Sequence, residues 1–221
     1  MRVSSPALFV AACCLVGFSV HLLVFAPGYV SFDVVSQLQQ ARTGDLDDVS
    51  PPAAALLFSV GEMLVAGTLS VFVLNALLFW SGTALLLSAL RLRTLHLVLL
   101  PAALPLVPLL PHVWTDIHLL GVAALVTGLV AQAARNAGPA RSILLAWSAV
   151  LLLAGWATWV RHNAILAVLP FVALAFHPTL RPSRAREWGR IGFAAAAIVF
   201  LLGVRASSIA VVDRSVSVWA V

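Results

Sequence analysis

The sequence has no lysine, and all thirteen of its basic residues are arginines. Charged residues of both signs make up only 10% of the chain, whereas hydrophobic residues make up 62% and the mean hydropathy is +1.06. A water-soluble domain of 221 residues cannot bury that much apolar surface in one core, so the composition excludes the soluble globular class. The arginine-only usage, with abundant Ala and Leu, is typical of a GC-rich bacterial genome.

Several other features are missing as well. The two cysteines, Cys13 and Cys14, are neighbours in one apolar run, which excludes a disulfide framework. Short segments of alternating hydrophobicity are absent, which argues against a membrane β-barrel. No internal repeat of fixed period is visible, which argues against a transporter built from duplicated halves. The high isoelectric point does not indicate nucleic-acid binding, because the arginines lie between apolar runs.

What remains is a series of continuous apolar runs of about 17–22 residues, the length that crosses a bilayer as a helix. They predict an all-α polytopic membrane bundle that forms a single domain. We expect about seven transmembrane helices and one outer juxtamembrane helix. The predicted spans are 7–26, 70–90, 95–111, 117–134, 142–160, 164–177 and 191–211, with an outer loop and surface helix over 27–67.

Arginine placement predicts the topology, because basic residues are enriched on the cytoplasmic side. The first apolar run continues past a small-residue stretch at 10–13, so we expect an uncleaved span with a cytoplasmic N-terminus in the bacterial inner membrane. The run at 95–111 contains four prolines, and counting it as a kinked span sends Asp116 outside and Arg135 inside. The cytoplasmic arginines would then be Arg2, Arg91, Arg93, Arg135, Arg141, Arg181, Arg184, Arg186 and Arg190.

The polar stretch 27–52 would lie outside the cell. It contains Asp33, Asp45, Asp47 and Asp48, and it ends in the pair Pro51-Pro52, which suits the first turn of a helix. We expect the following helix, 53–67, to lie along the outer membrane surface, because Glu62 in mid-bilayer would cost several kcal/mol.

Three polar elements would converge on this outer face: Asp33, Asp116, and the triplet Arg161, His162 and Asn163. Two carboxylates and a guanidinium can activate a hydroxyl and hold a phosphate.

Each of these residues also has a structural interpretation. Asp33 could cap a helix that begins near Val34, and Asp116 could cap the fourth span. Arg161 could bind lipid headgroups at the interface. Asp48 stands beside the proline pair as a candidate ligand, but together with Asp45 and Asp47 it also fits a solvated acidic turn.

The order of these features resembles the GT-C superfamily of integral membrane glycosyltransferases, which includes protein O-mannosyltransferase-like and aminoarabinose-transferase-like enzymes. In those enzymes an acid follows the first span, a His-Pro-Pro-like motif opens a juxtamembrane helix, and a second outer loop carries another acid. The matching segments are YVSFDVVSQ, DDVSPPAAALLFSV, HVWTDIH and WVRHNAILAVLP. They extend over the shared transmembrane module.

The resemblance implies a polyprenyl-phosphate-linked sugar as donor and transfer of that sugar to an acceptor hydroxyl with inversion. Asp33 would be the general base. Arg161, assisted by His162 and Asn163, would bind the phosphate, and Asp48 would join the substrate-binding residues. Asp116 would orient the acceptor or the base, or hold a divalent ion.

The sequence assigns no cofactor, and it departs from the GT-C pattern in two places. No metal site is assigned, because His112 and His118 around Asp116 do not share one helical face. Ser50 replaces the histidine of the His-Pro-Pro pattern, and the chain stops soon after the seventh span. A fragment, a minimal module and an inactive relative all fit that ending.

The expected partners are the lipid-linked sugar and membrane lipids, without nucleic acid. The alternative function is a non-catalytic subunit or scaffold of a polysaccharide or lipid export system. That interpretation fits the scarcity of ionisable residues inside the predicted spans, which argues against ion-coupled transport.

Overall fold

A computed structural model describes residues 5–46, 52–90, 110–135 and 140–161, together with the positions 164, 198–199 and 202–203. Nearly all of the predicted spans 95–111, 164–177 and 191–211 therefore lies outside the described residues.

Every element in the described ranges is an α-helix. The helices are α1 (Ser5–Phe25), α2 (Phe32–Thr43), α3 (Pro52–Leu64), α4 (Leu69–Ala89), α5 (Thr115–Arg135) and α6 (Ala140–Val160). Three segments are long and apolar enough to cross a membrane: Pro6–Phe25, Leu69–Ala89 and Thr115–Gln132. The chain is thus all-helical where it is described, and its long apolar helices indicate a membrane protein.

Helices α1 and α4 pack in antiparallel fashion around one tryptophan. The six-membered ring of Trp80 packs against Gly17, where a β-carbon would collide with it. One turn further along α1, the Trp80 Nε1–H donates to His21 Nδ1 at 3.2 Å. On α1, Gly17 therefore leaves space for the Trp80 ring, and His21 accepts its hydrogen bond.

Helices α4 and α5 run parallel and in close contact. A β-carbon at Gly82 would collide with the backbone of Ala124 and Leu125, and one at Gly128 would lie 2.6 Å from the Gly82 carbonyl oxygen. Further along, Gln132 Nε2 donates to the Leu85 carbonyl at 2.9 Å. Small residues let two helix backbones approach this closely. In lipid such packing stabilises helix association, because hydrophobic burial contributes little free energy there.

Helix α6 returns against α5, and the two enclose a small apolar core of Val122, Val126, Val150, Ala157 and Ala164. Since α5 starts at the end of the bundle where α1 finishes and α4 begins, the C-terminus of α6 reaches that same end. The candidate site lies there.

Helices α2 and α3 form a separate layer over this end. Ser31 caps α2, its Oγ accepting from the Val34 N–H at 3.4 Å, and Gly44 ends the helix in the left-handed conformation at φ 79°. Underneath, Val34 and Phe58 are fully buried against Phe72 and Val113. This core attaches the polar α2–α3 layer to the apolar bundle.

Candidate functional site

Two loops meet at the end of the bundle where the predicted site residues lie. The Tyr29 N–H donates to the Pro111 carbonyl at 2.9 Å, and the Val113 N–H donates to the Tyr29 carbonyl at 3.0 Å. Between them Gly28 has φ 94°, and a β-carbon there would lie 2.5 Å from a Val113 methyl group. The pairing joins the loop before α2 to the loop before α5. The N-termini of these two helices therefore lie close together.

Asp116 and Arg161 form an ion pair at this end. Arg161 Nε lies 3.0 Å from Asp116 Oδ1, and the two side chains are 36% and 52% exposed, respectively. Asp116 is in the first turn of α5, where a negative charge complements the unpaired N–H groups of the helix. Arg161 directly follows α6, and its backbone N–H donates to the Ala157 carbonyl at 2.9 Å. The antiparallel packing of α5 and α6 is what brings the two residues together.

The ion pair uses only part of the arginine. Arg161 Nη1 also donates to Thr115 Oγ1 at 3.5 Å. A guanidinium has five N–H donors in a rigid planar arrangement. Most of them have no partner among the described residues, so the group can still bind an anion while Asp116 holds its orientation.

Asp33 belongs to the α2–α3 layer and does not join this pair. It sits exposed in the first turn of α2, four positions after Tyr29. Ser31 occupies the cap position, so the suggestion that Asp33 caps this helix is wrong. The Asp33 side chain makes no hydrogen bond or ion pair with any described residue. Its carboxylate is therefore accessible to solvent near the loop junction.

The remaining predicted ligands, Asp48, His162 and Asn163, lie outside the described residues. Of the six predicted site residues, the structure describes Asp33, Asp116 and Arg161. It brings the last two into contact and places the first on α2.

A buried polar network lies beneath the ion pair and had no counterpart in the sequence prediction. His118 is 1% exposed, and its Nδ1 lies 2.8 Å from Asn75 Oδ1 on α4. The Trp156 Nε1–H on α6 donates to His118 Nε2 at 2.7 Å. Because an indole can only donate, Nε2 must accept and Nδ1 must carry the proton. A neutral histidine thus links three helices within one turn of Asp116.

His112 and His118, the two histidines that flank Asp116, lie in different environments. The His112 ring lies 5.4 Å from that of Tyr29 and 4.4 Å from that of Trp114, measured between centroids. His118 is inside the bundle. Within the described ranges, no three His, Cys, Asp or Glu side chains are grouped as metal ligands.

A second ion pair fastens α2 to α3. Arg42 Nε lies 3.1 and 3.0 Å from the two carboxylate oxygens of Glu62, and Arg42 Nη2 lies 2.6 Å from Oε1. The Gly67 N–H donates to the same carboxylate at 3.1 Å. The Arg42 hydrogen bonds, followed by the Gly67 bond, lower the pKa of Glu62, and Glu62 in turn raises the pKa of Arg42.

Comparison of the chain with protein-family models, with curated proteins and with solved structures finds no match. Function is therefore inferred from the residues of this chain and their geometry.

Proposed function

We propose that this chain is a membrane glycosyltransferase module with a GT-C-like arrangement of about seven spans. It would move a sugar from a polyprenyl-phosphate donor to an acceptor hydroxyl at the outer face of a bacterial inner membrane. Arg161 and Asp116 would form the donor-phosphate site, and Asp33 would be the general base.

The observation that carries this proposal is the Arg161–Asp116 pair at 3.0 Å, held partly exposed at the bundle end. A purely structural ion pair needs no spare donors, whereas a phosphate site needs a cation with N–H groups still available. Arg161 meets that requirement, and a guanidinium matches two phosphate oxygens at once. Thr115 adds a hydroxyl beside it.

The proposed reaction uses Asp33 to activate the acceptor and Arg161 to stabilise the leaving group. Asp33 takes the proton of the acceptor hydroxyl, whose oxygen then forms a bond to the anomeric carbon of the sugar. The bond between that carbon and the phosphate oxygen breaks, and polyprenyl phosphate leaves with the electron pair. The leaving group is already anionic, so it needs a cation more than a proton donor, and Arg161 supplies that cation.

The apolar helices of the bundle support a lipid-linked donor. The ion pair lies at the end of two candidate membrane spans, Leu69–Ala89 and Thr115–Gln132. A polyprenyl tail could therefore stay in lipid while its phosphate reaches the bundle end. His162, Asn163 and Asp48 remain in the proposal as further substrate-binding residues. A divalent ion is an optional addition that Asp116 could ligate.

Binding of polyprenyl phosphate, the proposed product, tests the phosphate site without knowledge of the sugar. The chain in lipid nanodiscs is titrated with polyprenyl phosphate, and binding is followed by native mass spectrometry. We expect Arg161→Ala to weaken binding by roughly 10–100-fold, the effect of about 1.5–3 kcal/mol for a charged hydrogen-bonding group. Arg161→Lys should recover only part of this loss, because an ammonium cannot bind in a fork geometry.

Arg135→Ala is the matched control. It removes the same charge at the last residue of α5, the opposite end from Asp116, and should leave binding unchanged. Equal affinity in wild type and Arg161→Ala would remove Arg161 from the donor site. Absence of binding by the wild-type chain would favour the export-subunit alternative.

A further inference from the structure

His118 is an ionisable residue buried inside a candidate membrane span. It is 1% exposed within the segment Thr115–Gln132. Both of its ring nitrogens are in hydrogen bonds, one with Asn75 on α4 and one with Trp156 on α6. Ionisable residues inside spans are costly and usually have a function. Because both nitrogens of His118 are already bonded to other helices, its contacts fit a role in holding those helices in place.

The Asn75 side chain indicates that stability alone does not explain this network. Asn75 is 2% exposed, and its Nδ2 group has no hydrogen-bond partner in the described part of the chain. A partly satisfied polar network is less stable than an apolar contact of the same shape. What Asn75 does is fix the His118 tautomer, since its Oδ1 accepts the Nδ1 proton and leaves Nε2 to accept from Trp156.

The Trp156–His118 bond joins the two helices that carry the ion pair. His118 lies two residues after Asp116 on α5, and Trp156 lies five residues before Arg161, which directly follows α6. Among the described residues, this bond is the only side-chain hydrogen bond between these two segments besides those of Arg161 itself. The apolar contacts between α5 and α6 are not directional, whereas a 2.7 Å hydrogen bond fixes both distance and direction.

The ion pair depends on the spacing that this bond fixes. Arg161 Nε lies 3.0 Å from Asp116 Oδ1, and Arg161 Nη1 lies 3.5 Å from Thr115 Oγ1. Both of these partners belong to the first turn of α5, so a shift of α6 along α5 would move the guanidinium away from them. A binding site fails when its supporting residues let the binding groups move by about 1 Å.

We infer that His118, Asn75 and Trp156 are positioning residues for the Arg161–Asp116 site. They fix α5 against α6, so that Asp116 holds the guanidinium in one orientation and its remaining N–H groups are presented to an anion. The consequence for polyprenyl-phosphate binding rests on the proposed function, whereas the positioning of Arg161 does not.

Chemical modification of Arg161 tests the positioning without any substrate. The chain in nanodiscs is treated with phenylglyoxal, which modifies an arginine more slowly when a carboxylate holds it, and the modified positions are quantified by peptide mass spectrometry. In Trp156→Phe we expect Arg161 to react roughly 2–10 times faster, the ratio that corresponds to loss of one hydrogen bond. Arg42, which Glu62 holds in the α2–α3 layer, is the internal reference and should react at its wild-type rate.

Trp159→Phe is the matched control. It makes the same chemical change three residues further along α6, but the Trp159 Nε1–H has no hydrogen-bond partner among the described residues. Arg161 should therefore react as in wild type. Equal Arg161 rates in wild type and Trp156→Phe, or equal increases in Trp156→Phe and Trp159→Phe, would overturn the inference. If Trp156→Phe does not fold, His118→Asn serves the same test, because it keeps a polar group towards Asn75 but is too short to accept from Trp156.

A double-mutant cycle connects the positioning to polyprenyl-phosphate binding. The loss of affinity caused by Arg161→Ala is measured by native mass spectrometry in wild type and in the Trp156→Phe background. We expect this loss to be roughly 2–10-fold smaller in the Trp156→Phe background, because Arg161 is already displaced there. An equal loss in both backgrounds would overturn the role in binding. No binding by wild type would instead refute the proposed function, and the modification experiment would still decide whether the network positions Arg161.

Discussion

Asp116 at the start of α5 and Arg161 just beyond α6 are joined by a 3.0 Å ion pair. Both side chains are partly exposed, and exposed pairs contribute only about 0–1 kcal/mol to folding. We therefore expect Asp116→Asn to leave the unfolding temperature nearly unchanged while weakening polyprenyl-phosphate binding, because Arg161 loses its orientation. Unfolding can be followed by reaction of the buried Cys14 thiol with a fluorogenic maleimide. If Asp116→Asn lowered the unfolding temperature strongly and left binding unchanged, the ion pair would stabilise the fold and have no role in binding.

The Arg42–Glu62 pair predicts a specific dependence of stability on pH. The pKa of Glu62 is lowered in the folded chain from its ordinary value of 4.5. A carboxyl group with a lowered pKa stabilises the fold above the unfolded pKa, and this contribution is lost as pH falls through the folded pKa. Wild type should therefore melt at a higher temperature than Glu62→Gln at pH 7.

That difference should shrink as pH falls from about 4.5 through the lowered folded pKa of Glu62, because the folded wild-type chain then also loses its charge at this position. Melting temperatures of the two proteins between pH 7 and pH 3 test the prediction. Gln39→Ala, an exposed change on α2, serves as the control and should follow wild type. A constant difference between wild type and Glu62→Gln across the range would show that the charge on Glu62 is not the cause.

The buried His118 network should be sensitive to loss of either partner. His118→Ala leaves the Trp156 N–H without its acceptor and the Asn75 oxygen without its donor, and each orphaned group costs about 1–3 kcal/mol. Trp156→Phe should have a smaller effect, because one bond is lost. Leu120→Ala, at a 42% exposed position on the same helix, is the control and should change stability little. Equal effects of His118→Ala and Leu120→Ala in denaturant titrations would contradict the network.

The contact between α4 and α5 predicts a strong effect from one methyl group. In Gly82→Ala the new β-carbon would collide with the backbone of Ala124 and Leu125, which cannot move aside as a side chain can. We expect a loss of about 1–3 kcal/mol of stability. Ser81→Ala on the exposed side of the same turn should be nearly neutral. Unchanged unfolding of Gly82→Ala would mean that the helices are further apart than described.

Much of the architecture is visible in the sequence because lipid imposes a simple rule. Apolar runs of bilayer length must be helices, and α1, α4 and α5 have hydropathies that identify them as candidate spans. The break between α3 and α4 falls between the predicted surface helix, 53–67, and the predicted span, 70–90, and Gly67 lies in it at φ 89°. The full set of seven spans remains a prediction.

Helix α2 was predicted only in part: the capping interpretation of Asp33 implied a helix that begins near Val34, within a stretch otherwise assigned to an outer loop. The residues at its ends are informative, since Ser31 is a good cap residue and glycine, here Gly44, most often ends a helix in the left-handed conformation. The polar composition between them is why the stretch was assigned to a loop. Asp33, read as a possible cap, instead lies in the first turn.

The tertiary contacts could not be read from the chain. No sequence pattern pairs Asn75 or Trp156 with His118. The structure joins both to His118 through packing of three separate helices. Arg42 and Glu62 likewise meet because α2 and α3 fold against each other. The predicted topology put Asp116 and Arg161 on one face, but their direct contact depends on the antiparallel packing of α5 and α6.

The most direct measurement of the central claim is turnover by Asp33→Asn in lipid vesicles. Polyprenyl-phosphate-linked hexoses and pentoses are supplied as donors, with short-chain alcohols and hydroxylated lipids as acceptors, and release of polyprenyl phosphate is quantified. Wild type should turn over at least one donor. Asp33→Asn should bind polyprenyl phosphate normally but react about 100–10,000 times more slowly, as expected from loss of a general base. Turnover by Asp33→Asn at the wild-type rate, or no turnover of any donor by wild type, would contradict the account.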